Sequence, residues 1–387
     1  MVKNNIAIFF PHLHDFGGGE IFCEHVTNLL SKKFNIDLYF YINKKIHREL
    51  KFKKKIKIVK VKSDSLLIDF FCKRYIFLAQ IYLIYHASLL NNKNYKFIFS
   101  AAGEFVSKKF RVYQYIHHPF YSLSPWHYLA IGSKSWEIHK ILCRFVVSLS
   151  FRIYLFFNKK KFKNNITIAN SRWTKERFIK IYKNFFKKIY IIYPTFKIPE
   201  YYHEKFNRFK QRENSFVILG RVGKDKNTFQ GIDFFILLKK KFRIFKKSRL
   251  IIIGPSNNKN IKKIEYYRNK YPDDIKFFGF IKTKIRDKIL KNTKYGLHLS
   301  MFEHFGRAVL EMKKKGMIVF THNSGGSKEI AMNNDLVYED LNDLRTKIKK
   351  IYENENLQKK VLTKNYRNLR DSLNSKKFDT DLIIKIK

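Results

Sequence analysis

Apolar residues along this chain fall into short unbroken runs separated by polar turns and by stretches with apolar positions at helical spacing. Ile6-Ala-Ile-Phe-Phe10 is such a run, the mark of a parallel strand covered on both faces. A turn holding Gly17, Gly18 and Gly19 follows, and helical spacing runs from Ile21 to Lys33. Asp37–Tyr41, Lys57–Val61, Lys96–Ser100, Val112–Ile116, Ile166–Ser171 and Ile189–Pro194 continue as strands. Arg172–Ile181 reads as a helix with Ser171 as its cap. After a polar, proline-containing stretch the pattern restarts. Ser215–Gly220, Arg249–Gly254, Ile275–Gly279 and Tyr295–Ser300 are strands alternating with helices. The alternation in both halves predicts an α/β protein of two doubly wound, Rossmann-like domains facing each other. The boundaries drawn are 1–196 for the first domain, 197–214 for a linker, 215–375 for the second domain and 376–387 for a helical tail.

The stretch from Tyr295 to Gly326 carries the most chemistry. A strand ends at Ser300, and Gly306 marks the bend into a helix whose apolar face is Ala308, Val309, Leu310 and Met312. Lys313-Lys-Lys-Gly316 stops that helix, Met317–Thr321 is the next strand, and Asn323-Ser-Gly-Gly326 turns the chain. The first N–H groups of a helix lack internal partners and carry partial positive charge, so residues 305–308 are a seat for a phosphate or a developing anion. Glu303, before the helix, is placed to accept hydrogen bonds from sugar hydroxyls, and Glu311, about two turns on, to reach a ribose. Two solvated glutamates flanking an amphipathic helix would give the same pattern, so the spacing alone does not decide.

Two further features lie at expected strand ends, where open α/β sheets bind ligands. The glycines at 17–19 follow the first strand, although their spacing is not a dinucleotide fingerprint and a simple tight turn fits them equally. His117 follows Val112–Ile116, where a surface histidine before the Pro119 turn is the plainer alternative.

Charge alters the picture less than its size suggests. Lys and Arg number 80 against 31 Asp and Glu, a formal net charge of +49, which invites a nucleic-acid reading. The lysines are spread through every segment and form no recognition helix, zinc finger or RNA-binding sheet motif, so no nucleic-acid partner is expected. The charge suits an anionic membrane surface or a polyanionic substrate better. Segments 66–90 and 138–157 are strongly apolar but interrupted by charged residues, which argues against a spanning helix. Either is read as core packing or as an interfacial helix. Cys23, Cys72 and Cys143 match no metal spacing and read as buried thiols in a reducing compartment. The chain enters its first strand directly, so no signal peptide is expected. Asp379-Thr-Asp381 has the form of a metal-binding pair but follows no strand, and is read as coincidence.

In sum these residues resemble glycosyltransferase family 4. Its E-x7-E pattern is matched by Glu303 and Glu311, and its G-R-x4-K pattern by Gly220, Arg221 and Lys226. Gly17-Gly-Gly-Glu20, Tyr115-Ile-His-His-Pro119, Asn170-Ser-Arg-Trp-Thr174, Glu303-His-Phe-Gly306 and His322-Asn-Ser-Gly-Gly326 are similar to the family's α-1,2-mannosyltransferase branch. That branch extends dolichol-linked N-glycan precursors from GDP-mannose at the cytosolic membrane face. The resemblance implies the GT-B fold, with the donor site in the cleft. It implies His117 and Glu303 as catalytic residues, and Arg221, Lys226, Phe305, Gly306, Arg307 and Glu311 as the donor-binding set. Gly17, Gly18 and Gly19 would lie near the diphosphate and the acceptor.

The activity implied is retaining transfer of a sugar, mannose from GDP-mannose first, to a hydroxyl of a lipid-linked or surface glycan, with no cofactor and no essential metal. The chain would be cytoplasmic and peripheral on a membrane. This sequence is shorter and far more basic than the eukaryotic enzymes and begins at its first strand. A UDP-sugar enzyme of bacterial polysaccharide or lipopolysaccharide assembly therefore stands beside the first reading. A basic nucleic-acid-binding protein or a non-catalytic glycan- or membrane-binding protein is the alternative of another class.

Overall fold

The computed structural model describes residues 4–14, 17–42, 44–90, 93–121, 136–158, 165–183, 185–186, 188–195 and 206–386, with the helix path but not the side chains at 136–144. The chain forms two compact units, one from the first half together with Lys376–Lys387 and one from Ile198–Ser375.

The first unit is built on seven parallel strands: β1 (Asn5–Phe10), β2 (Asn35–Tyr41), β3 (Lys57–Val61), β4 (Ile98–Ser100), β5 (Val112–Ile116), β6 (Ile166–Ala169) and β7 (Lys188–Ile191). Their order is β3-β2-β1-β4-β5-β6-β7, so the winding reverses between β1 and β4, where Ile8 lies beside Leu38 on one side and Phe99 on the other. Covering on both faces explains the unbroken apolar runs. Ile8 packs with Phe22, Tyr115 and Phe178 on one face, and Ala7 and Phe9 pack with Tyr39, Leu83 and Ile98 on the other. The Ser375–Lys385 helix lays Phe378 and Leu382 on the first of these cores. Asp379 there accepts from His25 Nε2 at 2.7 Å, so one carboxylate of the D-x-D serves as a partner for the first helix.

The second unit carries six parallel strands: β8 (Glu213–Leu219), β9 (Leu250–Ile253), β10 (Ile275–Gly279), β11 (Thr293–His298), β12 (Ile318–His322) and β13 (Val337–Tyr338). The order β10-β9-β8-β11-β12-β13 reverses between β8 and β11. Both units are therefore parallel, Rossmann-like sheets, as the alternation predicts. Of the expected linker, residues 197–205 lie outside the described residues, Phe206–Lys210 is a short helix, and Glu213 already opens β8.

One expectation needs correction. The first helix starts at Gly18, not Ile21, because Gly17 takes the cap position in extended backbone and its N–H donates to Glu20 Oε2 at 3.2 Å. Gly18 and Gly19 are therefore its opening residues rather than a loop, a start that a glutamate in the first turn favours. Segment 66–90 is two helices, Leu66–Arg74 and Ile76–Ser88, parted by extended backbone at Tyr75.

Each apolar segment buries one face and exposes the other. Asp69, Cys72, Phe77, Ala79 and Leu83 are buried, as are Phe151 and Leu155 of the Trp136–Phe157 helix. Leu66 and Leu67 are 86% and 67% exposed, and Phe156 and Phe157 are 68% and 78% exposed. Among the described residues no helix is long and apolar enough to cross a membrane. Cys23 and Cys72 are buried free thiols, and burial pushes the Cys72 thiol up to about 12. The side chain of Cys143 lies outside the described residues.

Candidate active site

Ligands of wound α/β sheets bind beyond the carboxyl ends of the strands where the winding reverses, and each unit gathers predicted residues there. In the second unit β8 leads into Gly220–Asn227 and β11 into Leu299–Gly306. Gly220, at φ +140°, lies under Gly254, where a Cβ would come within 1.9 Å of the Gly220 carbonyl oxygen. Val222 N–H then donates to the Pro255 carbonyl at 2.9 Å. Asn227, left-handed at φ +50°, donates through Nδ2 to the Leu299 carbonyl at 3.0 Å, and Ser300 Oγ donates to the Asp225 carbonyl at 3.3 Å. These two bonds tie the loops together. Their result is an ion pair between Lys226 Nζ and Glu303 Oε2, side chains 77 residues apart in sequence.

The backbone of Glu303 is fixed from the other side by the Asn323–Gly326 turn. Gly326 N–H donates to the Glu303 carbonyl at 2.6 Å, and Phe302 N–H donates to Ser324 Oγ at 2.8 Å. Gly325, at φ +80°, is required here, since a Cβ would sit 2.3 Å from the Glu303 carbonyl oxygen. Burial works to raise the Glu303 carboxyl, but the Lys226 ammonium, with His298, outweighs it and holds the group below its usual range. His298, the last residue of β11, lies with Nε2 4.0 Å from Glu303 Oε2. Burial, with Lys226 adding to it and Glu303 opposing, pushes its imidazole down to about 4, so it is neutral at physiological pH.

The other predicted residues of this unit are placed close by but engaged differently. Arg221 is 68% exposed and pairs with Asp225 at 2.7 Å. Gly306, at φ +91°, packs against Ser327 and ends in the helix Arg307–Lys314, whose first N–H groups lack helical partners. Phe305 is buried. Glu311 is bound on both oxygens, by Arg307 Nε at 3.0 Å and Arg286 Nη1 at 3.3 Å. A ribose would meet this carboxylate already held by two cations.

In the first unit the helix beginning at Gly18 and the end of β5 meet. His117 Nε2 lies 3.1 Å from the Ala101 carbonyl, just past β4. A carbonyl only accepts, so Nε2 carries the proton and Nδ1 is left as the acceptor. The ring stands edge-on to Phe22 of the first helix at 4.6 Å. Burial pushes it down to about 4, against the pull of the Ala101 carbonyl. Asn170 Nδ2 donates to the His117 carbonyl at 2.9 Å. Glu104, fully buried, accepts from Phe120 N–H at 2.9 Å and from the Tyr182 hydroxyl at 2.6 Å, holding the turn that follows His117.

Sequence reasoning missed Asn227, His298, Ser324, Arg286 and Glu104. Each acts across the sheet or between loops distant in sequence. The one available signal was position: His298 and Asn227 both close an element at a winding reversal.

The second unit is similar in sequence to known proteins. The family model "Glycosyl transferases group 1" matches residues 202–368. The matched stretch includes both loops around Lys226 and Glu303 and stops short of the first unit. One curated relative, the GDP-Man:Man(3)GlcNAc(2)-PP-Dol α-1,2-mannosyltransferase of Xenopus tropicalis, is 28% identical over 171 residues, 43% of this chain. That stretch spans 35% of the relative's own length. Sucrose-phosphate synthase from Thermosynechococcus elongatus superposes with a TM-score of 0.72 at 15% identity, over 99% of this chain and 98% of that one. Anabaena HepE, solved with UDP and glucose, gives 0.65 at 14% identity over 99% of each chain. At such identities the likeness shows the shared fold, the GT-B fold of two Rossmann-like units.

Proposed function

We propose that the chain is a retaining glycosyltransferase that moves a sugar from a nucleoside diphosphate to the hydroxyl of a glycan or lipid-linked acceptor. The observation that carries this reading is the Lys226–Glu303 pair at the winding reversal of a glycosyl transferases group 1 domain. In this reading Lys226, Arg221 and the N–H groups at the start of the Arg307–Lys314 helix receive the diphosphate. Phe305 and Gly306 shape the approach to that helix, Arg307 and Glu311 hold the ribose side, and Glu303 accepts the hydroxyls of the transferred sugar. The acceptor oxygen bonds to the anomeric carbon as the bond to the phosphate oxygen breaks. The acceptor's proton passes to the departing phosphate, and the charge growing there is met by fixed cations. His117, neutral with Nδ1 free to accept, and the helix start at Gly17, Gly18 and Gly19 serve the sugar and acceptor from the first unit. None of these steps calls for a metal.

The donor reading that similarity favours is GDP-mannose, because the curated relative is a GDP-mannose enzyme. A UDP-sugar is the second reading, supported by the shared fold of HepE, which was solved with UDP and glucose. For the acceptor side, we read the outward apolar residues Leu66, Leu67, Phe70, Phe156 and Phe157 on a strongly basic chain as a peripheral contact with anionic lipid at a cytosolic membrane face. Flotation with anionic and neutral vesicles tests it. Loss of binding on Leu67→Asp with Phe157→Asp is expected, and equal binding to neutral vesicles counts against it.

The experiment for the function as a whole is thermal stabilisation by GDP-, UDP- and ADP-sugars without metal. A ligand at a hundred times its dissociation constant adds about 2.7 kcal/mol. A selective response names the donor base, and no response to any of the three overturns the reading.

A further inference from the structure

We propose that His298 takes up a proton when an incoming diphosphate draws Lys226 away from Glu303, so that nucleotide binding at these loops is coupled to proton uptake. The inference rests on the donor-site reading above and adds a residue that neither sequence pattern includes. Its basis is geometric. His298 is 5% exposed, and its Nε2 is buried with no hydrogen-bond partner among the described residues. A buried polar nitrogen without a partner is costly and uncommon. This one lies 4.0 Å from Glu303 Oε2, too far for a hydrogen bond but within one small side-chain rotation of it.

The reason for keeping it there follows from the ion pair. Lys226 is one ammonium, and in the structure it is engaged by Glu303. A nucleoside diphosphate brings more negative charge than that carboxylate and competes for the same cation. Once Lys226 moves to phosphate, Glu303 is left largely enclosed without its counter-ion, a costly state. The charged groups facing His298 are Glu303 from its own loop and Lys226 from the loop after β8. Tyr338, from β13, only donates its hydroxyl to the His298 carbonyl at 3.3 Å. Moving Lys226 removes a repulsion from the imidazole and leaves the attraction of Glu303. Protonated on both nitrogens, His298 would give Glu303 a charged donor in place of the lysine. The carboxylate stays ionised as an acceptor for sugar hydroxyls, and Nε2 gains its partner.

The test is calorimetric titration of the full chain with GDP-mannose and with UDP-glucose, whose diphosphates have no group titrating near neutrality, near pH 6.5 in buffers of different ionisation enthalpy. Bound heat that changes with the buffer in the sense of net proton uptake is expected, as is affinity that rises on acidification by at most about tenfold per pH unit. His298→Asn should still bind, more weakly, with the buffer dependence lost. His298→Gln, with melting curves for both, guards against a folding defect. Binding without proton uptake by the wild-type chain overturns the inference and leaves the donor site standing. Uptake that survives both substitutions overturns it too, placing the proton on a group other than His298. Failure of both nucleotides to bind overturns the donor-site reading and this inference with it.

Discussion

The two units wind their sheets in the same order and reverse at corresponding strands, yet they finish the reversal in different chemistry. In the first unit the loops are closed by neutral contacts. His117 is wedged against Phe22 and bonded to the Ala101 carbonyl, and Glu104 is buried among donors of its own unit. In the second unit the loops are joined by charge. Lys226 meets Glu303 and Arg221 meets Asp225, all with part of their surface open. A buried carboxylate with its donors satisfied is scaffold, because a ligand has nothing to exchange with it. A partly open ion pair has charges that a charged ligand can reach and pair with in exchange. The same topology is therefore closed by neutral contacts in one unit and by partly open ion pairs in the other.

Substitutions sharpen that contrast. Glu303→Gln should cost the most turnover, roughly a hundredfold or more, while the nucleotide part of the donor still binds. Steady-state kinetics with the donor found by thermal shift checks this, and an unchanged kcat breaks the assignment. Lys226→Met should weaken donor binding by about ten- to a hundredfold, the loss of one charged hydrogen bond. Arg221→Ala, acting from an exposed position, should cost less, about 1 kcal/mol or under. Equal losses at the two cations would mean that burial does not set their rank.

Glu104→Gln acts in the first unit through folding. Its amide nitrogen must face one of the two donors now met by oxygen, a cost of about 1–3 kcal/mol. A lower melting temperature with unchanged nucleotide affinity is expected, and the reverse pattern would erase the distinction between the units.

A further effect is shared. Burial holds both His117 and His298 near 4, so each stays neutral while histidines of the unfolded chain protonate. Stability should fall as pH drops from roughly 6.5 towards 4, by at most about 1.4 kcal/mol per pH unit for each histidine. Denaturation midpoints across that window should flatten in His117→Asn and in His298→Asn.

Sequence patterning carried the sheet architecture because parallel strands buried on both faces print unbroken apolar runs, as Ile6–Phe10 and Leu250–Ile253 do. It misplaced the first helix start because glycine propensity argues for a loop, whereas the Gly17–Glu20 cap makes Gly18 helical. At the site, Lys226 and Glu303 were each recognisable as residues, but their pairing depends on bonds from Asn227 and Ser300 between loops far apart in sequence. Glu311 is the converse case. Its spacing suggested an open acceptor, and the two arginines on it come from one neighbouring turn and one separate helix, Arg307 and Arg286.

The central claim is that the Lys226–Glu303 loops bind the diphosphate of a sugar donor. Calorimetric titration of the preferred nucleotide sugar into the wild-type chain and Lys226→Met, side by side, tests it most directly. Binding to the wild type that weakens at least about tenfold on loss of the lysine, with melting temperature preserved, is the expected result. Equal affinity for the two proteins would contradict the claim.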